Sequence, residues 1–275
     1  MLEDAREIFD YLPIEPGAES LYIRHLWGAF EALIEQEEPI RAFSILPFHL
    51  LFMFAVQYKV YRISAYKKED YLEKLGTCRF YDSGQKEVLK INSPVADKNG
   101  NIASSCSARN LSFLPENRIF DFLRIINCDD ITIEKAKQLV EIRGTYAHAN
   151  GNIEEDIEVR INEYLEILRA VQLCMIEMNN SVQSWADEIE EDEYPLTEFF
   201  QERFLISQFS PRDFGDVIGN LLRADRLDSK QWEEVATKGL ELAHDQTMMA
   251  LRTAPQNDFL GENGPIASRI LEDNS

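Results

Sequence analysis

One segment of the chain is apolar on nearly every side and long enough to form a helix. Residues 45–66 read ILPFHLLFMFAVQYKVYRISAY. A helix with apolar residues all round is buried in a protein core or spans a membrane. The apolar run over residues 43–60 is interrupted by His49, Gln57 and Lys59, and it falls short of the roughly 20 apolar residues of a transmembrane helix. We therefore expect residues 45–66 to form the central helix of an all-α domain.

Three further segments show the spacing of amphipathic helices. Apolar residues recur every three or four positions over residues 23–34, 133–147 and 157–175. Asp129, Asp130 and Thr132 offer oxygens that can cap the start of the second of these segments. Because a few residues separate the last two segments, we expect their helices to pack as an antiparallel hairpin.

The remaining regions have a different character. Apolar alternation and an Asn-Gly turn predict a small insertion bearing a β-hairpin at about 67–118. The acidic run ADEIEEDE, followed by a proline, predicts a linker at 186–195. Residues 1–185 would then form a helical bundle with its insertion, residues 196–252 a C-terminal helical region, and residues 253–275 a loose tail.

The charge of the chain is concentrated in its flanks. The sequence has 28 Lys and Arg residues against 49 Asp and Glu residues, which gives a formal net charge of −21. Residues 51–150 carry a net +3, whereas the rest of the chain carries −24. An acidic surface repels phosphates, so broad DNA binding and binding to an anionic membrane are excluded. A small phosphate-handling site within the middle hundred residues is compatible with this distribution.

Cysteine usage and the first residues indicate the cellular compartment. The four cysteines are scattered without a C-x-x-C pair, which disfavours a zinc site or a disulfide framework and favours the reducing cytoplasm. The start, MLEDAREIFDYL, lacks the basic and apolar regions of a signal peptide. We find no metal-ligand set and no cofactor motif, and therefore expect no metal and no cofactor.

One pair of residues has the chemistry of a catalytic site. In the sequence RGTYAH, His148 follows Arg143 by five positions. Arg143 lies on the stripe that is expected to face protein, where an arginine needs a partner or a function. Residues five apart on an ideal helix point about 140° away from each other. The two side chains therefore converge if this helix end is distorted or if a second chain contributes.

An apolar helix that ends in R-x4-H before a short turn and another long helix resembles the HEPN superfamily. The resemblance implies an up-and-down bundle with core helices at 18–36, 44–66, 132–150 and 153–180, the motif lying on the third. It also implies a homodimer in which the motifs of two protomers face one shared cleft. Many active members are metal-independent endoribonucleases of toxin–antitoxin and phage-defence systems, with an antitoxin as protein partner. Others are inactive and serve as interaction or dimerisation modules.

The resemblance assigns catalysis to Arg143 and His148. An imidazole titrates near neutral pH and can act as acid or base, while a guanidinium can hold two phosphate oxygens of the RNA. Active members commonly carry a polar residue directly after the arginine, whereas this chain has Gly144. Candidates for a substitute polar group are Thr145, Tyr146 and Asn150.

Other interpretations of the same residues stay open. Arg143 can be tied to a carboxylate such as Glu141 or Glu166, with His148 satisfying the helix C-terminus. The protein is then an inactive HEPN-fold module that binds a protein partner through its acidic flanks. A third interpretation is an unrelated helical regulator with a small sensory pocket. Whatever the function, we expect His49 to be a hydrogen-bonded core residue, because it lies within the apolar central helix.

Overall fold

The structure is a computed structural model that describes residues 2–14, 19–77, 111, 114–147, 156–180, 209–222, 227–242, 244–253 and 263–273. Helices dominate these residues and no strand occurs among them, so the all-α prediction is confirmed. We label the longer helices α1 Ser20–Ile34, α2 Ile45–Tyr66, α3 Lys68–Thr77, α4 Asp130–Ala147, α5 Ile157–Asn180, α6 Pro211–Leu222, α7 Ser229–Leu242, α8 His244–Thr253 and α9 Gly264–Asp273. Shorter helical turns are Leu2–Ala5, Arg6–Asp10, Arg41–Ser44, Glu116–Ile119 and Phe120–Ile126.

The chain divides into two compact units. The first consists of Met1–Leu12 with Pro16–Cys174, and the second of Pro13–Glu15 with Met175–Ser275. The linker predicted at 186–195 lies outside the described residues. So does most of the predicted β-hairpin insertion, but its residues 68–77 form helix α3. The sequence pattern did not predict a helix in this part of the insertion.

Helix α2 forms the centre of the first unit, as its sequence predicts. Phe48 and Phe52 are fully buried, and their rings lie 5.8 and 4.8 Å from the ring of Tyr164 on α5. On the other side, Phe48 packs against Phe30 of α1 at 5.1 Å. Residues 41–64 are long and apolar enough to cross a membrane, but 83% of the most apolar stretch is buried within the protein. Such burial is typical of a core helix.

Helices α4 and α5 begin at carboxylates that cap them. Asp129 accepts hydrogen bonds from the backbone N–H and the hydroxyl of Thr132, at 2.9 and 2.7 Å. This contact confirms the predicted N-cap and lowers the pKa of Asp129. Asp156 likewise accepts from the backbone N–H of Glu158 at 2.9 Å. These caps satisfy backbone donors that no helical carbonyl can reach.

The second unit is built around Trp232 on α7. Its side chain is fully buried, and its indole N–H donates to the carbonyl of Leu222 at 3.0 Å. Helix α7 is preceded by a reciprocal cap: the backbone N–H of Gln231 donates to Asp228, whose own N–H donates to the Gln231 side chain, at 2.8 and 3.1 Å. This arrangement is a capping box.

The predicted loose tail contains a helix instead. Helix α9 spans Gly264–Asp273 and places Ala267 and Ile270 in the apolar core of the second unit. Ile266 and Leu271 pack beside them. The Gly, Pro and Asn residues before α9 led to the prediction of a loose tail, whereas the apolar spacing that follows them determines its structure.

Candidate functional site

Arg143 lies on the last turns of α4 and is held by a carboxylate. Its terminal Nη2 donates to Oε2 of Glu116, which is the first residue of the helical turn after Pro115. The exposed fractions of the two side chains are 26% and 27%. The ion pair is therefore largely shielded, but solvent still reaches one side of it.

A second hydrogen bond connects Glu116 to the core. The same Oε2 lies 3.2 Å from Nε2 of His49, and Nδ1 of His49 lies 2.9 Å from the Tyr164 hydroxyl. Because an ionised carboxylate can only accept, the neutral imidazole donates through Nε2 and accepts from Tyr164 through Nδ1. Tyr164, His49, Glu116 and Arg143 thus form a continuous polar chain from the core to the surface. The prediction that His49 is a hydrogen-bonded core residue is confirmed.

The charges of these four side chains follow from their burial and from their contacts with one another. The hydrogen bond from His49 and the ion pair with Arg143 lower the pKa of Glu116 to about 2, although burial opposes them. Burial lowers the pKa of His49, while Glu116 counteracts that effect in part. At neutral pH the imidazole is therefore neutral, Glu116 is ionised and Arg143 is positive. These four hydrogen-bonded side chains together carry no net charge.

Several charged and polar groups act on the hydroxyl of Tyr164. Burial raises the pKa of its hydroxyl, and the positive charges of Arg143 and Arg160 counteract that rise. Both guanidinium groups therefore lie near enough to act on one hydroxyl. Tyr146, a buried residue of α4, also raises the pKa of Tyr164. Tyr146 and Arg143 are three positions apart on α4 and therefore lie on one face of that helix.

The other residues of the predicted site have different surroundings. Thr145 donates its hydroxyl to the carbonyl of Ile142 at 2.7 Å, within its own helix. Gly144 faces open space, with nothing within 4 Å of the position that a Cβ would occupy. His148 and Asn150 lie outside the described residues, so the convergence of Arg143 and His148 stays a prediction.

Glu116, His49 and Tyr164 are the members of the site that the motif did not predict. The carboxylate that pairs with Arg143 is Glu116 and neither Glu141, which is exposed, nor Glu166, which accepts from Asn162 at 3.1 Å. A buried histidine needs two partners, and this was the one sequence signal for a polar network. No pattern in the sequence near His49 indicated that its partners would be Glu116 and Tyr164.

Among the described residues, no group of three or more His, Cys, Asp or Glu side chains is arranged to hold a metal ion. In comparison with known proteins, no family model, curated protein or solved structure matches the chain.

Proposed function

We propose that this chain is a cytoplasmic protein with a HEPN-like bundle that homodimerises and cleaves RNA without a metal. In this proposal Arg143 holds the scissile phosphate, and His148 transfers protons to and from the reacting oxygens. The observation that carries the proposal is the state of Arg143, which is anchored from one side by Glu116 while 26% of its side chain is exposed.

An anchored arginine suits phosphate binding for two reasons. A guanidinium has five N–H donors, and its bond to Glu116 goes through Nη2 alone. Its buried Nε has no hydrogen-bond partner among the described residues. In addition, an arginine fixed by a second layer of contacts loses little side-chain freedom when the substrate arrives.

The ion pair between Arg143 and Glu116 also limits the affinity of the site for a phosphate. Because Glu116 neutralises Arg143, the pair attracts a phosphate less strongly than an unpaired arginine would. The rest of the affinity for RNA then has to come from the second protomer and from contacts to sugar and base. This limit agrees with a net charge of −21, which favours a confined RNA site over a broad one.

The ion pair itself favours a second candidate function. An arginine that already has a carboxylate partner can serve the fold alone. The chain is then an inactive HEPN-like module that dimerises or binds a basic protein partner, such as an antitoxin, through its acidic flanks.

Metal-free RNA cleavage by the full chain tests the proposal. Single-stranded RNA is incubated with the protein in excess chelator, and products with 2′,3′-cyclic phosphate ends are quantified. We expect Arg143→Ala and His148→Ala each to slow cleavage by about 100-fold or more. Arg118→Ala is the matched control, because Arg118 is an exposed arginine that pairs with Asp121 at 3.5 Å. Absence of cleavage by the wild type, or unchanged cleavage by both variants, refutes the proposal and leaves the interaction module.

A further inference from the structure

A cavity of about 380 Å³ opens between helices α4 and α5 of the first unit. Pockets for small ligands measure roughly 300–1,000 Å³, so this one suits a ligand of about the size of a single nucleoside. Its apolar lining includes Leu139 and Ile167, which are 3% and 4% exposed. The cavity therefore has a fixed apolar wall made by residues of the core.

The polar lining of the cavity carries both donors and acceptors. Gln138 brings an amide that donates and accepts, Lys135 brings an ammonium donor, and Glu166 brings a carboxylate acceptor. Arg160 also lines the cavity, with 17% of its side chain exposed, and bonds Glu163 at 2.6 Å. A planar guanidinium of this kind is a group on which aromatic rings stack.

The cavity adjoins the neighbourhood of Arg143. Ile142 lines it, and Arg143 is the next residue of the same helix. Leu139 also lines the cavity, and it lies four positions before Arg143, on the same face of α4. A phosphate at Arg143 and a group inside the cavity can therefore belong to one extended ligand.

We propose that the cavity between α4 and α5 binds one unstacked nucleobase of the RNA whose phosphate meets Arg143. This inference rests on the proposed function and adds to it a site that selects the base. Proteins read single-stranded RNA by stacking splayed bases on flat side chains and by hydrogen bonding to the base edges. Here Arg160 and the apolar wall accommodate the base plane, while Gln138 and Glu166 accept from an exocyclic amino group. Adenine, guanine and cytosine have such a group and uracil has none, so the site disfavours uracil.

Calorimetric titration of the full chain with AMP, GMP, CMP and UMP tests the inference, and a second arm uses single-stranded oligo(A) and oligo(U). We expect AMP to bind more tightly than UMP. We expect Ala170→Leu, which fills the cavity from α5, to weaken AMP binding by about tenfold or more. Ala32→Leu places the same side chain on an exposed position of α1 and is the matched control.

Gln138→Ala is a second variant that does not alter the core. It is expected to reduce the preference for AMP over UMP, whereas Gln36→Ala, at an exposed glutamine elsewhere, leaves that preference unchanged. Binding of the oligonucleotides without binding of the free nucleotides, with the same losses in the variants, supports an RNA base as the ligand. Binding of the free nucleotides but not of the oligonucleotides overturns the RNA base in favour of a free nucleotide.

Two further results separate this inference from the proposed function. If the wild type cleaves RNA and Ala170→Leu binds AMP and oligo(A) as the wild type does, the base site is wrong and the nuclease stands. If oligo(A) binds in the cavity but the wild type cleaves no RNA, the base site stands and the nuclease is wrong.

Discussion

His49 and Glu116 are 67 residues apart in the sequence, and a hydrogen bond of 3.2 Å joins them. His49 is fully buried, whereas Glu116 reaches the surface. The orientation of Arg143 therefore depends on the packing of α2 and α5 rather than on a loop. A site with this support is pre-organised, and a substitution that disturbs the core will also change the orientation of the Arg143 guanidinium.

Glu116→Gln tests the charge of the Glu116 carboxylate through the pH dependence of the free energy of unfolding. The folded pKa of Glu116 is about 2, below its ordinary value of 4.5. Its stabilising contribution is thus complete above pH 4.5 and is lost as the pH falls towards 2. We expect the variant to lower the free energy of unfolding by about 1–3 kcal/mol at pH 7. It should also flatten the decline of that free energy between pH 4.5 and 2 in urea denaturation.

Glu134→Gln is the control for that experiment. Glu134 is 58% exposed and pairs with Lys137 at 2.9 Å, so its replacement should change stability by about 0.5 kcal/mol or less. Equal pH profiles for the two variants would contradict the role assigned to Glu116.

Arg143→Lys separates charge from geometry. Lysine keeps a positive charge near Glu116 but lacks the planar fork that binds two phosphate oxygens. We expect the thermal unfolding midpoint to stay close to that of the wild type, while RNA cleavage falls by about 10- to 100-fold. Arg118→Lys, at a surface ion pair, should cleave as the wild type does. Full cleavage by Arg143→Lys would exclude a two-point phosphate contact.

Tyr164→Phe removes the hydroxyl that donates to His49 at 2.9 Å. The buried Nδ1 atom then lacks a donor, and we expect a loss of about 1–2 kcal/mol in the free energy of unfolding. Tyr22→Phe, at a tyrosine that is 42% exposed, should be nearly neutral. An equal effect of the two substitutions in urea denaturation would show that the bond to His49 adds no stability.

Three helical glycines permit a matched comparison. At Gly28 and Gly144 no atom lies within 4 Å of the position that a Cβ would occupy, so their replacement by alanine should stabilise the protein by about 0.5–1 kcal/mol. At Gly239 a Cβ would lie 2.7 Å from Oγ1 of the buried Thr247, and Gly239→Ala should destabilise by about 1–3 kcal/mol. Differential scanning calorimetry measures all three.

Gly144→Ala also bears on catalysis. If Gly144 provides a bend that brings His148 to Arg143, the alanine variant will be more stable and yet cleave RNA more slowly. Gly28→Ala should gain stability without losing activity. Unchanged cleavage by Gly144→Ala would show that the motif needs no glycine at this position.

The sequence predicted those features that arise from neighbouring residues. The central helix was evident from apolar residues all round it, and the start of α4 from the cap at Asp129, because periodicity and capping act over a few positions. Glu116 is 27 residues from Arg143, and Tyr164 is 115 residues from His49. Contacts over such distances depend on how helices pack, for which a single sequence offers no local pattern.

The burial of α2 has a consequence for how the protein folds while it is being synthesised. The ribosome makes about 5–20 residues per second. Because Tyr164 comes 115 residues after His49 in the sequence, it is synthesised roughly 6–23 s later. Helix α1 precedes α2 and can cover one side of it at once, but the side that faces Tyr164 is fully covered only when α5 emerges. The yield of folded protein in the cell should therefore depend on chaperones that shield nascent apolar segments.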